Sequence, residues 1–243
     1  MKYHCLLFLL FLIPVGCRDS DKKPSLQTVA ENSQLRPPSR SVEQNVLASD
    51  SLPAVQIKVA DEFHFVGNFD FEIIANSDEY ADSIQGKPIA KGERFVFASA
   101  ADKVVDKLFI VQFEGFLPEY DFTYNYNFDK AEFIGSKKYR HNTWFYNNKE
   151  LAQENPGNEG AKTTAFLEEK GYKLEDEFMM SRFVGLASED RKNEIIIFYI
   201  EMLKHTTGYS LQEFENTLPK EKANAIEQSF IERSKGSFLI IKG

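Results

Sequence analysis

The chain predicts an α+β fold: a mainly antiparallel sheet of about six to seven strands, with two to four helices packed on one face. Three observations predict it. Strand patterns crowd the first part of an aromatic-rich region that begins at Phe63. Helix signals crowd its second part. Residues 194–203 are apolar on both faces of a period-two pattern, which requires a strand covered on both sides. The regular strand–helix alternation of a doubly wound nucleotide-binding fold is missing.

The elements follow in order. Residues 63–73 alternate, with Phe63, Phe65, Phe69, Phe71 and Ile73 on one face and His64, Asn68, Asp70 and Glu72 on the other. Gly67 interrupts the pattern and marks a bulge. Residues 94–98 read as a second strand and 107–117 as a third, apolar on both sides. Residues 122–128 read as a fourth, with Phe122, Tyr124, Tyr126 and Phe128 on one face, and 139–146 as a fifth. Residues 155–160 are a loop. Residues 161–170 are helical and stop at Gly171, which suits a left-handed C′ position. A second short helix is expected over 175–184, before the strand at 194–203. Ser210-Leu211-Gln212-Glu213 is a capping box. The helix it opens breaks at Pro219 and resumes with Ala223, Ile226 and Phe230 on one face. Residues 237–241 close the chain as a strand.

The N-terminus has a separate character. Met1-Lys2-Tyr3-His4 precedes an apolar run over 5–15, then Gly16-Cys17. A basic start, a short apolar core and a small residue before the cut make a secretory signal. The run is too short to span a bilayer, which takes ~20 residues. Val15-Gly16-Cys17 resembles the lipobox of bacterial lipoproteins, although Pro14 stands where leucine is usual. The resemblance implies cleavage after Gly16 and acylation of Cys17, which partners the chain with a membrane. Several acyl chains are needed, because a single one holds only marginally. Arg18 rather than aspartate follows the cysteine, which favours the outer membrane over the inner, with the domain in the periplasm or on the cell surface.

Residues 18–55 contain no aromatic residue and are rich in Ser, Pro, Gln, Asn and charge. They read as a flexible tether. The expected organisation is therefore a signal peptide at 1–16, a lipidated Cys17 with its tether to residue 55, and a single domain over 56–243.

Composition excludes several functions. Net charge is −8, and loss of Lys2 with the signal takes it to −9. Nucleic acid demands clustered Lys and Arg, so it is not an expected partner. Cys5 leaves with the signal and Cys17 carries lipid, so the domain has no disulfide and no thiol nucleophile. His64, His141 and His205 are scattered, so neither a metal nor another cofactor is expected. No phosphate loop, nucleophile elbow or zinc-protease motif occurs.

Phe95-Val96-Phe97-Ala98, Val111-Gln112-Phe113-Glu114-Gly115-Phe116-Leu117-Pro118, Tyr124-Asn125-Tyr126, Ala165-Phe166-Leu167 with Lys170-Gly171-Tyr172, and Asp190-Arg191-Lys192-Asn193-Glu194 leading into Tyr199-Ile200-Glu201 together resemble an uncharacterised bacterial domain family over residues 63–241. That resemblance implies no activity and no functional residue.

Two carboxylates stand in apolar strands, Glu114 and Glu201. Burying an ionised carboxylate is costly unless it is paired. Facing one cavity with Gln112, Tyr199 and Arg182, they would have the apparatus of acid–base catalysis. At strand ends in salt bridges they would be structural. Tyr124 and Tyr126, with Trp144 and Tyr146 from the next strand, would line an aromatic groove or pack a sheet face. The preferred expectation is a non-catalytic envelope lipoprotein binding a small ligand or an envelope protein. The alternatives are an envelope hydrolase using Glu114 and Glu201, and a structural or accessory subunit of an envelope complex.

Overall fold

A computed structural model describes residues 38–129 and 131–243. The expected signal peptide, Cys17 and the expected tether up to residue 37 lie outside the described residues. Eight strands come first: β1 (Arg40–Glu43), β2 (Val46–Ser49), β3 (Val55–Val59), β4 (His64–Ile74), β5 (Pro88–Ala101), β6 (Val104–Phe116), β7 (Glu132–Ile134) and β8 (Lys137–Asn147). Helices α1 (Asn148–Glu154) and α2 (Glu159–Glu169) follow, then β9 (Glu177–Leu186) and β10 (Asn193–Met202). The chain ends with α3 (Leu203–Thr207), α4 (Leu211–Asn216), α5 (Lys220–Gly236) and β11 (Phe238–Lys242).

The α+β class is the expected one. A seven-stranded sheet runs in the order β4-β5-β6-β10-β9-β8-β7, with every neighbouring pair antiparallel. It consists of two meanders, β4-β5-β6 and β7-β8-β9-β10, joined along β6 and β10. A second sheet, β1-β2-β3-β11, pairs the start of the fold with its end.

The two sheets and the helices define two cores. On one face of the large sheet Phe97, Phe109, Val111, Phe183, Ile195, Ile197 and Tyr199 pack against Leu47 and Ile57 of the small sheet and Phe230 of α5. On the other, Val96, Leu108, Ile110, Ile196 and Phe198 pack with Leu167 of α2. Helices thus occupy both faces. β6 and β10 are buried on both sides, which is why their sequences are apolar without alternation. Each such aliphatic or aromatic side chain contributes about 1.5–3 kcal/mol on burial.

The capping box at Ser210 and Glu213 forms as expected, and Gly171 takes φ +80° just beyond α2. Four expectations need correction. Residues 38–55 are not tether: β1, β2 and β3 are folded, and the small sheet belongs to the unit spanning Pro38–Gly243. Short aliphatic alternation fills the place of aromatics there, and Gln44-Asn45, at φ 47° and 59°, form the two-residue type I′ turn between β1 and β2. The short helix expected over 175–184 is strand β9; its Phe178, Met180 and Val184 meet one core and Met179 and Phe183 the other, so packing overrides helix propensity.

Residues 122–128 form no strand. They are extended enough to keep a two-residue period but pair with nothing in a ladder. Finally, the irregularity between Phe65 and Gly67 moves the two halves of β4 to opposite faces. Phe65 packs on Phe95 and Phe97, whereas Phe69 packs on Phe166 of α2. One extra residue in a strand inverts every side chain beyond it.

Candidate functional site

The chemistry-bearing side chains gather on the α2 face of the large sheet. Arg94 of β5 stands opposite Gln112 of β6, and one row further along Glu114 of β6 stands opposite Glu194 of β10. All four are buried. On the other side of Glu114 in the ladder is Gly92, whose missing side chain leaves room for the Phe71 ring; a Cβ there would lie 2.2 Å from Phe71 Cζ.

The hydrogen bonds form a directed chain. Arg94 Nη1 donates to Thr163 Oγ1 at 2.5 Å and to the Glu159 carbonyl at 2.9 Å, both in the first turns of α2. Its Nε donates to Gln112 Oε1 at 2.7 Å, and Nη2 donates to the same oxygen. Gln112, its carbonyl so occupied, donates Nε2 to Glu114 Oε2. Tyr124 OH donates to Glu114 Oε1 at 3.1 Å. The Arg94 guanidinium also lies 5.2 Å from the Phe198 ring centre, and Arg182 reaches the same ring at 6.0 Å. Such contacts favour a cation in a dry site. Burial still draws Arg94 below its ordinary value, opposed by Glu159 and Glu114.

Glu194 differs from its neighbours. It is 1 % exposed, and neither carboxyl oxygen has a hydrogen-bond donor among the described groups. Burial, then the charge of Glu114, push its pKa well above the usual carboxylate range. Burial likewise raises Tyr124 and Tyr126, reinforced by Glu114 and Glu194. Both phenols therefore stay protonated.

Tyr124 and Tyr126 reach the cluster from the segment after β6. Its rings succeed one another: Phe116 on Tyr124 at 4.5 Å, then Tyr124 on Tyr126 at 6.1 Å, nearly parallel. The backbone is held by Tyr124 N–H to the Arg191 carbonyl at 2.8 Å and by Arg191 Nε to the Tyr124 carbonyl at 2.8 Å.

The sequence candidates divide accordingly. Gln112, Glu114, Tyr124, Tyr126 and Arg182 share this face. Tyr199 and Glu201 do not: they point into the other core, with Tyr199 OH donating to Glu201 Oε1 at 2.5 Å. Arg233 of α5 completes that site with a two-pronged ion pair to Glu201. The Glu114–Glu201 dyad is thereby excluded, because the carboxylates lie on opposite faces of the sheet. Trp144 and Tyr146 of β8 stand opposite Met180 and Phe178, and Tyr146 shares the core of that face with Tyr126. Among the described residues no ring contact joins either of them to Tyr124 or Tyr126.

Arg94, Glu194, Glu159 and Thr163 were not among the candidates. Glu194 carried a readable signal: it lies an even number of residues from Ile196, Phe198 and Ile200, and an odd number from Glu201. Two polar groups on one strand with odd separation cannot share a face.

A second constellation invites a catalytic interpretation. Ser181 Oγ lies 2.6 Å from His141 Nε2, and His141 Nδ1 lies 3.6 Å from Glu132. The hydrogen-bond direction is wrong for a nucleophile. Ser181 gives its proton to Ser234 Oγ, which gives its own to the Ile231 carbonyl. His141 Nε2 must therefore donate to Ser181 rather than accept from it, and Ser181 is fully buried.

Two surface depressions lie elsewhere. One, of about 680 Å³, is lined by Phe69, Phe71, Ile74, Lys162, Ala165 and Phe166 among others, between β4 and α2. The other, of about 360 Å³, is lined by Asn147, Leu174 to Glu177 and Lys204. Neither is lined by Glu114 or Glu194. The fold and cluster thus define an α+β, sheet-dominated domain with a buried ionic network on one face. Compared with protein-family models, curated proteins and solved structures, the chain matches none.

Proposed function

We propose that the protein is a lipid-anchored envelope lipoprotein whose domain binds a ligand or another envelope component without catalysing a reaction. The observation that carries the anchor is Val15-Gly16-Cys17 behind a short apolar run with a basic start. No helix among the described residues is long and apolar enough to cross a membrane, so acylation is the proposed means of attachment. Arg18 supports the outer membrane as the destination.

The non-catalytic reading is supported by the internal use of the polar groups. Glu201 is consumed by Arg233 and Tyr199, Glu114 by Gln112 and Tyr124, and the Ser181 hydroxyl by Ser234. The groove between β4 and α2 is the proposed binding face. Its floor is apolar, from Phe69, Phe71 and Phe166, and Asp70, Glu72 and Glu169 line it beside Lys162. An apolar ligand with a cationic end suits that lining.

The decisive experiment is fractionation of cells fed labelled palmitate. The wild-type chain is expected in the membrane fraction carrying label, and Cys17→Ala is expected to lose both. A Cys17→Ala chain that stays with the membrane defeats the proposal.

A further inference from the structure

Glu114 and Glu194 are direct partners across the β6–β10 ladder, so their side chains project from the same face at the same level. Each is buried. Glu114 has donors on both oxygens, from Gln112 and Tyr124. Glu194 has none. A carboxyl oxygen that meets another can form a hydrogen bond only if one of them carries a proton. From these contacts we infer that Glu114 and Glu194 share a single proton, and that this proton latches the segment 117–129 over the sheet.

The electrostatic surroundings bear on the same point. The groups facing the pair are Arg94 from β5, Arg182 from β9, Glu159 from α2, and Tyr124 and Tyr126 from the segment itself; Tyr146 of β8 faces Arg94, and Lys162 of α2 faces Glu159, whose side chain is partly exposed. Both phenols are neutral. With both glutamates ionised, two like charges face each other at one level of the ladder in a dry place, where they repel strongly.

The latch follows from where the donors sit. Tyr124 donates to Glu114, and Tyr126, stacked beside it, faces Glu194. Among the described residues one backbone donor of this stretch reaches the β9–β10 turn, Tyr124 N–H to the Arg191 carbonyl, and the turn returns Arg191 Nε to the Tyr124 carbonyl and Lys192 Nζ to the Tyr120 carbonyl. The segment has no ladder pairing, so these ties at the turn and the Tyr124–Glu114 bond hold it. When the shared proton leaves to bulk water, Glu194 becomes a second buried anion. Water must then enter to solvate it, and the route opened is beneath Tyr124 and Tyr126. The latch concerns the folded domain alone and does not depend on how the chain is anchored.

The test uses the full chain and its Glu194→Gln and Glu114→Gln variants. Gln replaces the protonated carboxyl with a neutral donor of nearly equal size. Infrared spectroscopy of the wild-type chain at about pH 7 should show a protonated-carboxyl band that Glu194→Gln removes. Hydrogen exchange of peptides from 117–129 should rise in the wild type relative to Glu194→Gln by about tenfold per pH unit, the signature of an opening that releases one proton. Between about pH 6 and 8 the wild-type Tm should fall ~5–10 °C further than that of Glu194→Gln.

Absence of the infrared band, or equal exchange in the two proteins across that range, overturns the inference. If Glu194→Gln does not fold, the band in the wild type and its loss in Glu114→Gln decide the matter. A calcium-dependent gain in wild-type Tm at high pH that Glu194→Gln lacks would also overturn it, because the pair would then hold a cation in place of the proton.

Discussion

Arg233 of α5 clasps Glu201 of β10 through two parallel hydrogen bonds, Nε to Oε1 and Nη2 to Oε2, each 2.7 Å long. Glu201 is 0 % exposed, and its ion pair is one of the polar ties between α5 and the large sheet on that face, beside Ser181–Ser234 and Thr143–Glu227. Glu201 raises the Arg233 pKa, chiefly by hydrogen bonding. Arg233→Ala leaves an uncompensated buried carboxylate. It should cost about 3 kcal/mol, the low end for a broken buried pair because the guanidinium is partly exposed. Urea titration measures it, and Arg233→Met with Glu201→Gln should recover most of the loss.

Arg94 anchors α2 to β5 and β6 through three acceptors: the Gln112 carbonyl, the Glu159 carbonyl and the Thr163 hydroxyl. A lysine carries the same charge but cannot reproduce the fork. Arg94→Lys should therefore destabilise by about 2 kcal/mol, and Thr163→Val by about 1 kcal/mol. Because both act on one network, the double variant should cost less than the sum.

His141 titrates in the opposite sense to Glu194. Burial lowers its pKa, outweighing the pull of Glu132. The unfolded chain then binds the proton more readily than the folded one, so stability is lost as pH falls below about 6.5. Glu194, raised, contributes stability that is lost as pH rises above the ordinary carboxylate range. The two slopes oppose each other between about pH 5 and 6.5, and above that range Glu194 acts without this opposition. His141→Gln should flatten the acid limb of a Tm–pH curve and leave the alkaline limb unchanged. An unaltered acid limb would show that His141 is not responsible.

Ala165 projects from α2 into the groove between α2 and β4 and is exposed. Ala165→Arg fills the groove while keeping a good helix former, so stability should move by no more than about 0.5 kcal/mol. Binding of an apolar cationic dye, followed by fluorescence, should weaken about tenfold, or ~1.4 kcal/mol. Unchanged dye affinity would remove the groove from consideration as a binding face.

Much of the fold was legible because burial on two sides leaves a plain mark. Residues 107–117 and 194–203 are apolar at odd and even positions alike, and they became the two central strands. The capping box at Ser210 and the stop at Gly171 were legible because both depend on local chemistry. The small sheet was not, since Val42, Leu47, Val55 and Ile57 are few and short, and what buries them is a distant sheet and β11. Residues 122–128 had the right period but no partner strand, and period alone does not reveal pairing. For the site, Gln112 and Glu114 could be picked out as polar residues in an apolar strand. The counterpart of Glu114 across the ladder, Glu194, is seven residues from Glu201 on one strand, so the two glutamates face opposite ways and only Glu194 can meet Glu114.

The join between the two meanders bears on how the chain reaches its native state. Each meander is assembled from neighbours in sequence and can form early. The β6–β10 pairing brings residues 107–115 to residues 193–201, across three strands and two helices. Contacts of such long range form slowly, since the intervening chain must first be gathered. Until they form, β6 and β10 each present an apolar edge able to pair with another molecule. The interval before that central pairing is therefore the period of greatest aggregation risk. Slowing it, by weakening Ile110–Phe198 or Gln112–Ile196 contacts across the join, should lower yield more than it lowers final stability.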